Sequence, residues 1–517
     1  MSILTVTNVS HSFGGRQILE NASFRLLNGE HVGLIGANGE GKSTFLNIIT
    51  GKITPESGSV EWCNRITTGY LDQHTTLTKG KTIKQVLQDA FSNLFELEKE
   101  MLADYDQMAD CSPETMDRLM KDVGDIQDLL DHGGFYQLDT KINEVASGLG
   151  LMDIGLDHDV SELSGGQRSK VLLSKLLLEN PMILILDEPT NYLDEEHITW
   201  LKKFLLDYEN AFILVSHDIP FLNSVINVIY EIENCELTRY TGDYNQYLSM
   251  HEMKVAQQNA AYNKQQKEID DLEDFIARNK ARVATRNMAS SRQKKLDKMT
   301  IISKTKEKIK PVFGFSEDRT PGRVIFETKD LVIGYDEPLS SPLNLVFERN
   351  KKVAIKGCNG LGKSTLLKSL FGIIPSISGS VELDPFVTLG YFKQEEIASN
   401  KSALQEYWDE FPALNNGEVR SALAKCGLTS DHIESMMSVL SGGENAKVRL
   451  AKIMNRPCNV LVLDEPTNHL DVVAKEELKR AIIAYKGSVL LVSHEKEFYE
   501  EVVDEVWNIE DWTTKLF

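Results

Sequence analysis

Apolar positions along the chain follow two periods, and each period predicts its own kind of element. Leu248, Val255, Tyr262, Ile269 and Ile276 recur at every seventh position with no Pro or Gly between them, which is one seam of a long amphipathic helix. At about 1.5 Å per residue, a helix of roughly 34 residues carrying this seam spans on the order of 50 Å. The pattern lapses over residues 283–288 and resumes with Leu296, Met299, Ile302 and Ile309. The spacing therefore predicts a helical hairpin with its bend near residues 283–290. Short apolar runs at His31–Ile35, Ile183–Leu186, Lys352–Lys356 and Val460–Leu463 read instead as buried strands of a parallel sheet. Helical patterns open directly after two of them, at Ser43–Ile49 and Ser364–Phe371.

These elements occur in two copies. Gly36-Ala37-Asn38-Gly39-Glu40-Gly41-Lys42-Ser43-Thr44 returns as Gly357-Cys358-Asn359-Gly360-Leu361-Gly362-Lys363-Ser364-Thr365, and both fit the P-loop pattern in its strand-to-helix context. Glycines let backbone N–H groups turn inward around phosphate, the helix N-terminus adds its dipole, and the Lys reaches the β- and γ-phosphates. Leu163-Ser164-Gly165-Gly166-Gln167 returns as Leu440-Ser441-Gly442-Gly443-Glu444. In each copy a buried strand then delivers two carboxylates, Asp187-Glu188 and Asp464-Glu465, at the end where open α/β sheets bind ligands. The first carboxylate can hold Mg²⁺ and the second can orient and polarise an attacking water. His217 and His494 end matching strands of the form apolar-Val-Ser-His.

The spacing of the copies locates an insertion. Lys42 to Lys363 spans 321 positions, whereas Ser164 to Ser441, Glu188 to Glu465 and His217 to His494 each span 277. The first copy thus carries 44 more residues, all upstream of Ser164. They fall at about residues 86–135, where Leu94–Leu102 and Thr115–Met120 read as two helices, the second with Ser112 as N-cap and Pro113 as its first residue.

Charge singles out the segment between the copies. From Arg278 to Lys310 there are twelve Lys or Arg against Asp297 and Glu307, a net of +10, in a chain whose net charge is −21. A concentrated positive tip on an acidic body points to a surface for phosphate backbone. Arg278, Lys280, Arg282, Arg286, Arg292, Lys294, Lys295 and Lys298 are the candidate contacts. No stretch approaches 18 uninterrupted apolar residues, and the N-terminus shows no secretory signal, so no membrane span is expected. The six cysteines form no C-x-x-C pair, which fits free thiols in a reducing cytoplasm and no zinc site.

The motif set resembles the nucleotide-binding domain of ATP-binding-cassette proteins, present twice. The resemblance implies ATP and Mg²⁺ as ligands, with Phe13 and Tyr335 stacking on adenine and Gln73 and Gln394 as the Q-loop glutamines. It makes Ser43, Gln73 and Asp187, and Ser364, Gln394 and Asp464, the magnesium sets, with Glu188 and Glu465 catalytic beside His217 and His494. Asp194 and Asp471 match the D-loop aspartates. Such cassettes pair head to tail, so Lys42 is expected to face Ser441 across one ATP, and Lys363 to face Ser164 across the other. Tyr192 stands where its counterpart is His469, and Glu444 ends the second signature where Gln167 ends the first.

Two cassettes (1–247 and 322–517), a basic helical linker (248–321) and a helical arm in the first cassette resemble the F subfamily. Tyr240-Thr241-Gly242-Asp243-Tyr244 before the linker, and Phe275-Ile276-Ala277-Arg278, Ser290-Ser291-Arg292-Gln293 and Leu296-Asp297-Lys298-Met299 within it, are similar to that subfamily's wording. The resemblance implies a cytoplasmic ATPase, active as a monomer, that binds the large ribosomal subunit with its rRNA and exit-site tRNA and regulates translation. Its alternative is an antibiotic-resistance protein that protects the ribosome; the short bend favours a general translation factor. An importer ATPase is not expected to join its cassettes by a basic hairpin. A DNA-repair ATPase would need zinc-type cysteine pairs or a much longer coiled coil.

Overall fold

Each copy of the repeat folds into a parallel sheet flanked by a small antiparallel one. The first parallel sheet runs in the order Thr68–Leu71, Ile183–Asp187, Ala211–Val215, His31–Ile35, Val228–Glu233, with Glu236–Thr241 at its edge. The second runs Leu389–Phe392, Val460–Asp464, Ser488–Val492, Lys352–Lys356, Glu505–Asn508. Beside them, Ser2–Phe13 pairs antiparallel with Arg16–Leu27 and Ser57–Trp62, and Val324–Val332 with Val346–Glu348 and Ser378–Leu383. The computed structural model describes residues 2–514 apart from 14–15, 38, 72–79, 109–111, 280–285, 300–309, 336, 358–359, 394–398 and 469.

The continuous apolar runs are continuous because both sheet faces are covered. Ile183 to Leu186 and Val460 to Leu463 are all wholly buried, and burying each such side chain contributes about 1.5–3 kcal/mol. In both sheets the P-loop strand and the two-carboxylate strand flank one shared neighbour, Ala211–Val215 or Ser488–Val492. Parallel pairing therefore brings the P-loops, Asp187 and Asp464 to the same carboxyl edge.

The inserted residues form the helices Ser92–Met108 and Pro113–Gly133. Ser112 caps the second, its side chain accepting from Thr115 N–H with Pro113 following, and Gly134 ends it in the left-handed conformation at φ 69°, as an αL C-cap requires. Leu94, Ile126, Leu130 and Leu138 make a core of their own between these helices.

By compactness the chain divides into two units, Met1–Arg239 with Lys310–Phe517, and Tyr240–Ile309. The second unit holds a 36-residue helix, Tyr244–Asn279, and a 12-residue one, Arg286–Asp297. These pack as a hairpin: Lys295 Nζ reaches Glu268 at 2.6 Å and the Arg292 guanidinium lies 3.6 Å above the Phe275 ring. Ile276 and Leu272 are buried there, while Leu248, at the start of the expected seam, is 41% exposed. The returning helix is too short to cover the whole first one. It begins at Arg286, inside the stretch where the apolar pattern lapses, and the expected bend residues 283–285 lie outside the described residues. Among the described residues no helix is long and apolar enough to cross a membrane.

Candidate nucleotide sites

The two P-loops share one backbone device. Gly41 and Gly362 precede their helices at φ 98° and 94°, left-handed values that a side chain at either position would strain. This places Lys42 and Lys363 as the first helical residues, with their ammonium groups folded over the loop. Lys42 Nζ donates to Gly36 O at 2.8 Å and Ala37 O at 3.1 Å. Lys363 Nζ donates to Gly357 O at 2.7 Å and lies 2.7 Å from His494 Nε2. Burial pulls the Lys42 ammonium below its ordinary pKa, opposed by the charges of Glu188, Asp187, Asp471 and Glu40. Asn38, Cys358 and Asn359 lie outside the described residues, as do Gln73 and Gln394.

The carboxylate pairs sit against the helix that follows each P-loop. Ser43 Oγ donates to Asp187 Oδ2 at 3.2 Å, and Ser364 stands at the corresponding place near Asp464 and acts to lower its pKa. Burial, partly offset by Ser364 and Lys363, raises the Asp464 carboxyl to about 6. Glu188 and Glu465 both adopt left-handed backbones, φ 50° and 49°, an uncommon conformation for a residue with a Cβ and one concentrated at functional sites. Each extends its strand by one more bond, Glu188 N to Val215 O and Glu465 N to Val492 O, and each turns its carboxylate to the histidine of the neighbouring strand. His217 N donates to Glu188 Oε2 at 3.2 Å and its Nε2 lies 3.5 Å from Oε1; His494 Nε2 lies 2.9 Å from Glu465 Oε1. Burial and then the adjacent Asp187 charge push Glu188 to about 7.

The signature serines are helix caps. Ser164 and Ser441 accept from the backbone of Gln167 and Glu444, whose side chains reach back to the serine N–H at 2.9 and 2.8 Å, a capping box in both copies. Gly165, Gly166, Gly442 and Gly443 form the first turns. The D-loop aspartates Asp194 and Asp471 each meet a buried lysine of the signature helix, Lys170 at 3.4 Å and Lys447 at 2.9 Å. Burial pushes the Asp471 carboxyl up, but the Lys447 ammonium, the Ala474 N–H and the charge of His217 outweigh it and hold it below its usual range. Sequence reasoning passed over this lysine pair, although extending the 277-position offset from the signatures finds both at once.

The first P-loop lies against the second signature. A Cβ on Gly39 would collide with Glu444 Oε1 and stand 3.8 Å from His432 Nε2, whereas among the described residues a Cβ on Gly360 would meet nothing within 4 Å. Fields also cross: Asp471 acts on Lys42, and Lys475 acts on Glu188. Phe13 and Tyr335 are exposed, at 50% and 64%, and the Phe13 ring meets His11 in a T-shaped contact at 4.6 Å. In the hairpin, Arg278 pairs with Asp274 at 2.9 Å and Lys295 with Glu268, while Lys294 and Lys298 are exposed. Lys280 and Arg282 lie outside the described residues, and only the backbone of Arg286 is described.

The family profile described as ABC transporter matches residues 19–191 and 340–468, and a second with the same description matches 230–315. An uncharacterized ABC transporter ATP-binding protein of Bacillus subtilis, YfmM, is 62% identical over the whole of both chains. ABC transporter F family member 2 of Arabidopsis thaliana is 35% identical, covering 98% of this chain and 76% of the relative. An archaeal ribosome recycling factor, aABCE1, solved with the ribosomal stalk protein aP1, shares the fold at TM-score 0.57 and 21% identity, over 97% of this chain and 87% of that one. With two phosphate loops, two carboxylate pairs and two capped signatures in one chain, this protein belongs to the ABC family, within its F subfamily, and is an ATP hydrolase.

Proposed function

We propose that this ATPase binds the ribosome near the tRNA exit site and couples ATP binding and hydrolysis at two composite sites to the regulation of translation. It acts in the cytoplasm as a monomer whose cassettes pair within one chain. The observation that carries the reading is the +10 segment within a chain of −21. Its exposed Lys294 and Lys298, with Arg278, Lys280, Arg282, Arg286, Arg292 and Lys295, form the RNA-facing set. The structural neighbour aABCE1 is a ribosome recycling factor, which agrees with a ribosomal partner for this architecture.

In each site Phe13 or Tyr335 stacks on adenine, and the amides of Gly39 to Lys42 or Gly360 to Lys363 surround the phosphates. The donor set fits Mg²⁺: the Ser43 hydroxyl meets the Asp187 carboxylate in the first copy, Ser364 lies near Asp464 in the second, and Asp464 Oδ1 is buried with no hydrogen-bond partner among the described residues, a costly state that a hard cation relieves. When bound, Mg²⁺ neutralises charge on the phosphate oxygens. Ser43 with Asp187, and Ser364 with Asp464, would hold it, joined by Gln73 and Gln394. Glu188 and Glu465 orient the attacking water. His217 and His494 hold those carboxylates in place.

Ribosome co-sedimentation over a salt series tests the reading. Each phosphate neutralised adds about 0.7–0.9 to the magnitude of the slope of log affinity against log salt. Changing Lys294 and Lys298 to Glu should weaken binding and flatten that slope, leaving ribosome-free ATP turnover unchanged. Unaltered sedimentation would show the charge to be a solvated face. Antibiotic susceptibility of a deletion strain, with and without the gene restored, separates a general translation factor from a ribosome-protection protein.

A further inference from the structure

The second signature carries a buried side-chain pair that the first lacks. Glu444 uses Oε2 to accept from Ser441 N at 2.8 Å, and its Oε1 lies 3.1 Å from His432 Nε2, with both side chains less than a tenth exposed. His432 is the third residue after its own helix cap: its N–H donates to Thr429 Oγ1, and Thr429 N donates to His432 Nδ1, both at 3.4 Å. An Nδ1 that accepts leaves the proton on Nε2, the nitrogen that faces Glu444. At the same offset in the first cassette stand Gln167 and Gly155. Gln167 makes the same cap, its Oε1 accepting from Ser164 N at 2.9 Å, without a charge and without a histidine beside it.

That difference matters because of what the pair touches. Among the described residues, Glu444 Oε1 is the atom nearest to a Cβ placed on Gly39 of the first P-loop, and His432 Nε2 stands 3.8 Å from that Cβ. A bare carboxylate beside a loop that cradles a polyphosphate opposes the ligand's charge, and in a buried setting the repulsion is poorly screened. Moving the carboxylate away would break its bond to Ser441 N and loosen the signature turn. The imidazole edge, with Nε2 at 3.1 Å from Oε1, eases both problems, since it screens the charge and packs against the rotamer.

We infer that His432 is a positioning residue of the ATP site formed by the first P-loop and the second signature. It holds and partners Glu444 so that Ser441 and the amides of Gly442 and Gly443 can face the phosphates. The other site, built with Gln167 and Gly155, works without such a residue. The two sites are thus chemically distinct, with the distinction residing in the signature rather than in the catalytic glutamates. This rests on the composite-site reading proposed above.

The test is steady-state ATP turnover by the full chain, with melting curves to verify folding. His432→Ala should raise the half-saturating ATP concentration at least threefold, and His432→Gln, whose amide retains an N–H donor, should recover most of it. Glu444→Gln, which reproduces the first signature, should remove the dependence on the histidine, so that adding His432→Ala to it changes half-saturation no further. A defect of His432→Ala that persists undiminished in the Glu444→Gln background would make the histidine purely structural and overturn the inference. So would unchanged half-saturation in His432→Ala. Ser441→Arg, run alongside, separates the two readings: if it impairs turnover while His432→Ala does not, only this inference fails; if it is silent, the composite site itself fails.

Discussion

Replacing Glu188 by Gln should stabilise the nucleotide-free protein at alkaline pH. Its carboxyl is raised from its ordinary 4.5 to about 7, first by burial and then by the charge of Asp187, against the opposing His217 N–H, Lys42 and Lys475. A folded-state pKa above the unfolded one means that the folded chain binds the proton more tightly. The associated stability is full below pH 4.5, declines as pH rises towards 7, and is lost above it. The loss amounts to about 3 kcal/mol by pH 8.5, at 1.36 kcal/mol per unit, and to about 1.4 kcal/mol at pH 5.5. Gln keeps the left-handed backbone at φ 50°, so strain is common to both chains and cancels from the comparison. The assay is thermal melting of wild type and Glu188→Gln in EDTA without nucleotide, across that pH range. The melting-temperature advantage of the variant should grow by several degrees from pH 5.5 to pH 8.5, about 2 kcal/mol at 2–4 °C each. An advantage independent of pH would refute the charge argument and assign the effect to packing.

Three further outcomes follow from other parts of the chain. Glu188→Gln with Glu465→Gln should bind ATP and lose turnover, measured by equilibrium nucleotide binding beside phosphate release; wild-type turnover would remove both residues from the chemistry. Gly39→Ala and Gly360→Ala carry similar left-handed strain, at φ 79° and 84°, but only the first displaces Glu444, so it should cost an additional ~1.5–3 kcal/mol in closure, read as a roughly 10- to 150-fold greater loss of turnover. Leu130→Ala, at a wholly buried site between the arm helices, should cost about 2–5 kcal/mol. Limited proteolysis within residues 92–134 should detect it while ATP turnover stays intact.

What the sequence determined by itself is whatever repeats or keeps a period. The P-loops, carboxylate pairs, signatures and terminal histidines were legible because each motif is contiguous and occurs twice at a constant offset. The arm was legible as a break in that offset, with Ser112 and Pro113 marking a helix start by local chemistry alone. The start of the returning helix was less so, since Arg286–Asp297 is held to the first helix by Lys295 on Glu268 and Arg292 on Phe275, pairs far apart in sequence that leave no periodic trace. Tertiary structure alone decided that Glu188 and Glu465 take left-handed backbones, because strand pairing to Val215 and Val492 dictates where their carboxylates turn. It alone set Glu444 and His432 against Gly39. His432 has no counterpart in the other cassette, and its role depends on a carboxylate twelve positions away and a glycine nearly four hundred away, distances at which only folding supplies the contact.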